Sequence, residues 1–106
     1  VLDTTPLTKA VELFADRLRA APQSRLQRGA AAEALEVARE LARRAQELEE
    51  PGSESREMPD AGMFAAADQI TVAGHDLAVA LQARQGEDQL AEAVELVEEA
   101  RKRAGV

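Results

Sequence analysis

Apolar residues recur along this chain at steps of three and four, the spacing of one helical face, and nowhere show the alternation of a strand. Four stretches carry the pattern. In the first, Leu7, Val11, Phe14 and Leu18 share a face. Thr5 is the expected N-cap, with Pro6 at the first helical position, where its missing N–H costs nothing. Pro22 ends the stretch, because it cannot continue the hydrogen-bond ladder, so the helix is predicted over about 6–21. In the second, Leu26, Ala30, Ala34, Val37, Leu41, Ala45 and Leu48 form the stripe. Ser24 to Gln27 has the S-x-x-Q form of a capping box, and Pro51-Gly52 stops the pattern, which predicts a helix over 24–50. Residues 51–59 are rich in turn formers and charge without periodicity and read as a flexible loop.

The third stretch, about 60–84, places Met63, Ala67, Ile70, Gly74, Leu77 and Leu81 at strict 4-3-4-3-4 spacing, a seam of heptad type. Gly86 is expected to close it in a left-handed conformation. The fourth, 87–104, begins with Glu87 and Asp88 at its positive dipole end. It carries Leu90, Ala93, Val94, Val97, Ala100 and Ala104 on one face. Two short connections flank a long one, which suits a single-domain antiparallel bundle of four helices running up-down-up-down. That topology predicts its own charge contacts. Arg25 and Arg28 approach Glu87 and Asp88 at one end, while Arg101, Lys102 and Arg103 approach Glu47, Glu49 and Glu50 at the other.

Composition narrows the function classes. Of 106 residues 45% are apolar, yet 23 are alanine and the only aromatics are Phe14 and Phe64. Alanine favours helix but buries little area, so the core is thin, and association with a second copy is a common remedy. A net charge of −7 argues against a broad nucleic-acid-binding face. The absence of cysteine removes disulfides, thiolate nucleophiles and thiolate-bound zinc. Charges at Asp3, Lys9, Glu12, Asp16 and Arg17 interrupt the first twenty residues, which predicts neither a signal peptide nor a membrane span and makes the cytoplasm the default setting. Eleven arginines against two lysines, with abundant alanine, associate with GC-rich coding and a bacterial source.

The third helix has a mixed back. At about 100° per residue, Phe64, Asp68, Val72, His75, Val79 and Gln82 lie on or beside one stripe opposite the seam. Either neighbouring helices wrap this face within the bundle, or it is a second contact surface, best suited to a two-fold homodimer. Gly74 costs about 1 kcal/mol against alanine inside a helix, which implies close packing there. His75 is the only histidine and the obvious candidate for a general base or metal ligand oriented by Asp68 or Asp76. However, Asp68 lies two turns away and Asp76 points aside. Val72 also occupies the position at which carboxylate di-metal bundles place a glutamate before their histidine. Neither a metal nor an organic cofactor is expected.

Arg17, Arg19, Arg25 and Arg28 form a stretch free of acidic residues, and Arg25 and Arg28 sit against the positive start of the second helix. A phosphate-bearing ligand or acidic partner would suit them, as would compensation by Glu87 and Asp88. Ser24 is taken as a cap, Ser53 and Ser55 lie in the loop away from His75, and there is no glycine-rich phosphate loop. The leading expectation is therefore a non-enzymatic helical module acting by protein association, most simply as a homodimer through the third helix, without nucleic acid or membrane. One alternative is a ligand- or metal-responsive bundle built on His75 and nearby carboxylates. The other is an acidic adaptor that binds a larger protein by helix-in-groove packing.

Overall fold

The computed structural model describes residues 1–54 and 56–106. Helix α1 spans Thr5–Ala20, and a short α2 at Gln23–Arg25 passes through a wide π-type turn, Leu26–Ala30, into α3 at Ala31–Glu49. A 3-10 turn at Met63–Ala65 leads into α4 at Ala66–Arg84, followed by α5 at Glu87–Ala104. The four long helices form an all-α four-helix bundle, and no helix is long and apolar enough to cross a membrane among the described residues.

The stripes read from the sequence supply the core. Leu7, Val11, Phe14 and Leu18 of α1 meet Val37 and Leu41 of α3, Ile70, Leu77 and Leu81 of α4, and Val97 of α5, all buried. Alanine fills most of the remaining core positions, which lets the helices approach closely while burying little area each. Closest of all is Gly74, where an added Cβ would lie 2.7 Å from a γ-carbon of Val11. Glycine is there because α1 leaves no room for a methyl group.

The helix directions depart from strict alternation. Arg19 near the end of α1 bonds Asp68 near the start of α4, and Gln82 near the end of α4 bonds Thr4, so α1 and α4 are antiparallel. Arg44 bonds Glu92 and Arg103 bonds Glu33, so α3 and α5 are also antiparallel. In contrast, α3 and α4 run side by side in the same direction. Leu26, Ala31 and Leu35 border Met63, Ala66 and Gln69 at one end, while Ala42, Ala45 and Gln46 lie beside Asp76 further along. The order is thus up-down-down-up. Both α4 and α5 pack against α1 and α3, whereas the pairs joined by short turns, α1 with α3 and α4 with α5, face each other across the core.

This arrangement overturns the expected end contacts. The turn at Pro22 and the turn at Gly86 lie at opposite ends, so Arg25 packs beside Gly105 rather than Glu87 or Asp88. Arg103 reaches Glu33, 3.0 Å away, instead of Glu47, Glu49 or Glu50. The described residues of the segment 50–62 make the parallel pairing possible by running back along α3, and they are docked rather than free. Gln46 donates to the Ser53 hydroxyl and the Glu54 carbonyl and accepts from the Arg56 amide. Arg39 donates to the Met58 carbonyl at 2.8 Å, and Gln69 to the Pro59 carbonyl at 2.7 Å.

Four local expectations also change. Asp3 accepts from the backbone and hydroxyl of Thr5, which is already helical, so the α1 cap moves upstream to Thr4 with Asp3 supporting it. Ser24 lies inside α2 and makes no capping bond; Pro22 precedes the helix instead. The predicted continuous helix 24–50 breaks at Gly29, whose φ of 139° turns the chain from the segment crossing the bundle end into α3. Finally, the left-handed residue after α4 is Gln85, with φ 53° and ψ 44°, not Gly86.

Candidate interaction surface

Helix α4 contacts α1 along one flank and α3 along the other, which buries an arc from Ala66, Ala73 and Ala80 to Ala67, Gly74 and Ala78. What remains is its outer face. There Phe64, Val72 and Val79 are 72%, 57% and 51% exposed, the largest exposed apolar side chains of this helical segment. Asp68, His75 and Gln82 are exposed on the same face. Of the two alternatives for this stripe, wrapping by neighbouring helices does not occur among the described residues.

The polar members of the stripe differ in how they are held. Asp68 is fixed through one oxygen, Oδ1, 2.8 Å from the Arg19 guanidinium, and Arg19 also lies 3.5 Å from Asp16. Gln82 turns toward α1 and donates to the Thr4 hydroxyl. Thr71, beside Val72, returns its hydroxyl to the Ala67 carbonyl, so it presents its methyl group and spends its donor internally. Asp68 is therefore engaged with Arg19 rather than orienting His75. Among the described residues no three His, Asp or Glu side chains are grouped as a metal ion would require.

The four arginines of the patch have different surroundings. Arg17 and Arg19 occupy the last turn of α1, where cations suit the negative dipole end. Arg19 faces α4, while Arg25 faces the end of α5, which lies across the core from α4. Arg28 sits exposed in the wide turn. Ser53 is a loop hydroxyl bonded by Gln46, and Ser55 lies outside the described residues.

A feature missed in the sequence is an open groove of about 910 Å³ between α3, the returning segment and α5, with Leu35 and Leu96 among its lining residues. Both leucines lie off the main stripes, and that offset was the available signal. The groove is ringed by Arg39, Arg43, Arg56 and Arg103, and three of the four are matched by a carboxylate. Arg39 pairs with Glu57 at 3.1 Å, Arg43 with Glu40 at 2.6 Å and Arg103 with Glu33 at 3.0 Å. Arg44 adds a second bond to Glu40 at 2.8 Å. Hydrogen bonding from Arg43, then Arg44, holds the Glu40 carboxyl below the ordinary glutamate range against the opposing effect of partial burial. Arg39, Arg43 and Arg103 are thus neutralised locally. No family model, curated protein or solved structure matches this chain.

Proposed function

We propose that this chain is a non-enzymatic helical module that acts by protein association, with a second copy of itself as partner and the outer face of α4 as the contact. The observation that carries the reading is a run of three large, exposed apolar side chains, Phe64 in the 3-10 turn that leads into α4 and Val72 and Val79 on the outer face of α4. An apolar stripe rimmed by polar groups is a common mark of a protein contact. The thin alanine core adds a reason, since burial of this stripe would supplement the stability of each copy. A cysteine-free composition fits a cytoplasmic setting for such a module.

Light scattering and sedimentation equilibrium across a concentration series test it. A concentration-dependent dimer is expected, and Val79→Glu should dissociate it by placing unpaired charge in the contact. Because Val79 is half exposed, the variant should keep the helical content and melting behaviour of an isolated chain. A strict monomer at high micromolar concentration overturns the proposal.

A further inference from the structure

The stripe on α4 has a symmetry of its own. Phe64 and Val79 lie at its two ends, Asp68 and His75 lie inside them, and Thr71 and Val72 lie at the middle. Each of these pairs is centred on the same point, the peptide bond between Thr71 and Val72. A second α4 laid antiparallel about that point sets Phe64 on Val79 and Asp68 on His75, twice over. A parallel copy sets Asp68 on Asp68 and His75 on His75 instead, apposing like groups. A two-fold contact requires such self-complementarity.

Resting on the association reading above, we infer that two copies of this chain pair through antiparallel α4 helices about a two-fold axis between Thr71 and Val72, with Asp68 of each copy bonded to His75 of the other. The chemistry of Asp68 is suited to this. Arg19 occupies Oδ1, which leaves Oδ2 and its lone pairs to accept from the imidazole. Neutral or protonated, the imidazole has an N–H to donate. The spacing also fits. Val72 and Val79 are one heptad apart, as are Asp68 and His75, and that period favours the shallow crossing of about 20° that keeps long helices in contact. From Phe64 to Val79 the stripe is roughly 22 Å long at the helical rise. Such a contact falls in the small class, under about 1,200 Å², so self-association in the micromolar range is expected.

The absence of native cysteine makes cross-linking a clean test. Val72→Cys, Phe64→Cys and Val79→Cys are each oxidised at concentrations where sedimentation finds dimer. Val72→Cys should link to itself, since the two positions flank the axis within the ~4.4–6.8 Å Cα separation that a disulfide spans. Phe64→Cys alone and Val79→Cys alone should not, because like ends lie about 22 Å apart, but an equimolar mixture of the two should. His75→Glu should weaken dimerisation about tenfold by apposing carboxylates twice, while His75→Lys should preserve it. A dimer in which Phe64→Cys links to itself overturns the antiparallel pairing and leaves association through α4 standing. A dimer that none of these cysteines links overturns both the pairing and the choice of α4. The absence of any dimer overturns the association reading and this inference together.

Discussion

Gly74→Ala places a methyl group where α1 and α4 cross. The added Cβ would lie 2.7 and 2.9 Å from the two γ-carbons of Val11, which is 3% exposed. Carbon atoms rest about 3.5–4.0 Å apart, so the contact is short by roughly 1 Å. Val11 cannot swing away, because a β-branched side chain is stiff at χ1 and this one is enclosed. Two terms then compete. Alanine gains about 0.8–1.0 kcal/mol of helix propensity over glycine, and overpacking costs about 1–3 kcal/mol. The net expectation is a loss of up to ~2 kcal/mol, with each kcal/mol lowering Tm by about 4–8 °C in a domain near this size. The cost should shrink when the γ-carbons are removed. In a Val11→Ala background, itself destabilised by roughly 1–3 kcal/mol, only the 3.2 Å contact with the residue-11 Cβ remains, so Gly74→Ala should be clearly less destabilising than in the parent. Urea and thermal unfolding of the four proteins, followed by far-UV circular dichroism, gives the cycle. A Gly74→Ala single variant that is stabilised by the full propensity gain, with additive effects in the double, would refute the contact and with it the register of α1 on α4.

Two further expectations concern backbone conformation and pH. Gln85→Gly should raise stability by about 0.5–1 kcal/mol by relieving the left-handed residue after α4, whereas Gly29→Ala should lower it by about 1–2 kcal/mol at a φ of 139°. Opposite shifts in chemical unfolding midpoints, the larger for Gly29→Ala, are the simplest readout, and a neutral Gly29→Ala would remove the bend from the account. Hydrogen bonding from Arg43 holds the folded pKa of Glu40 below the ordinary glutamate range, so its contribution is present above the unfolded value and is lost as pH falls through the lowered one. The stability gap between the parent and Glu40→Gln, up to about 1 kcal/mol near neutrality for a partly exposed pair, should therefore close in acid. A gap that is constant with pH would count against the Arg43 and Arg44 bonds.

Helix number and most buried positions were legible because periodicity reports directly on which face is covered, whereas the break at Gly29 and the start of α4 at Ala66 were not. Leu7, Val11, Phe14, Leu41, Ile70, Leu77 and Val97 all lie where their spacing placed them. Direction was not legible, for a physical reason. The 19 residues of α3 span about 28 Å at the helical rise. A 13-residue connection reaches about 43–47 Å at most when extended, so it can either turn back at once or run the length of the helix. The bonds from Gln46, Arg39 and Gln69 that select the second course join residues 8, 19 and 10 positions apart, beyond what helical periodicity reports. Local signals failed where the global path overrode them. Ser24 loses its cap because the chain is crossing the bundle end, and Gly29 makes the bend from there into α3. On α4, the sequence marked Phe64, Val72 and Val79 as a second apolar face, but only packing could show that α1 and α3 leave it uncovered.

The crossed topology also bears on how the chain folds. Each short turn joins helices that face one another across the core instead of covering one another. Neither the α1–α3 hairpin nor the α4–α5 hairpin can shield its own apolar stripes. The two halves become stable only by interleaving, with α1 and α3 each seated between α4 and α5. Local contacts alone therefore give no foothold for a half-folded intermediate, and folding should be slower than in a sequentially paired bundle. Unfolding should then be all-or-none despite the modest core. A single cut in the returning segment would leave two pieces that hold each other in place and that collapse only when parted.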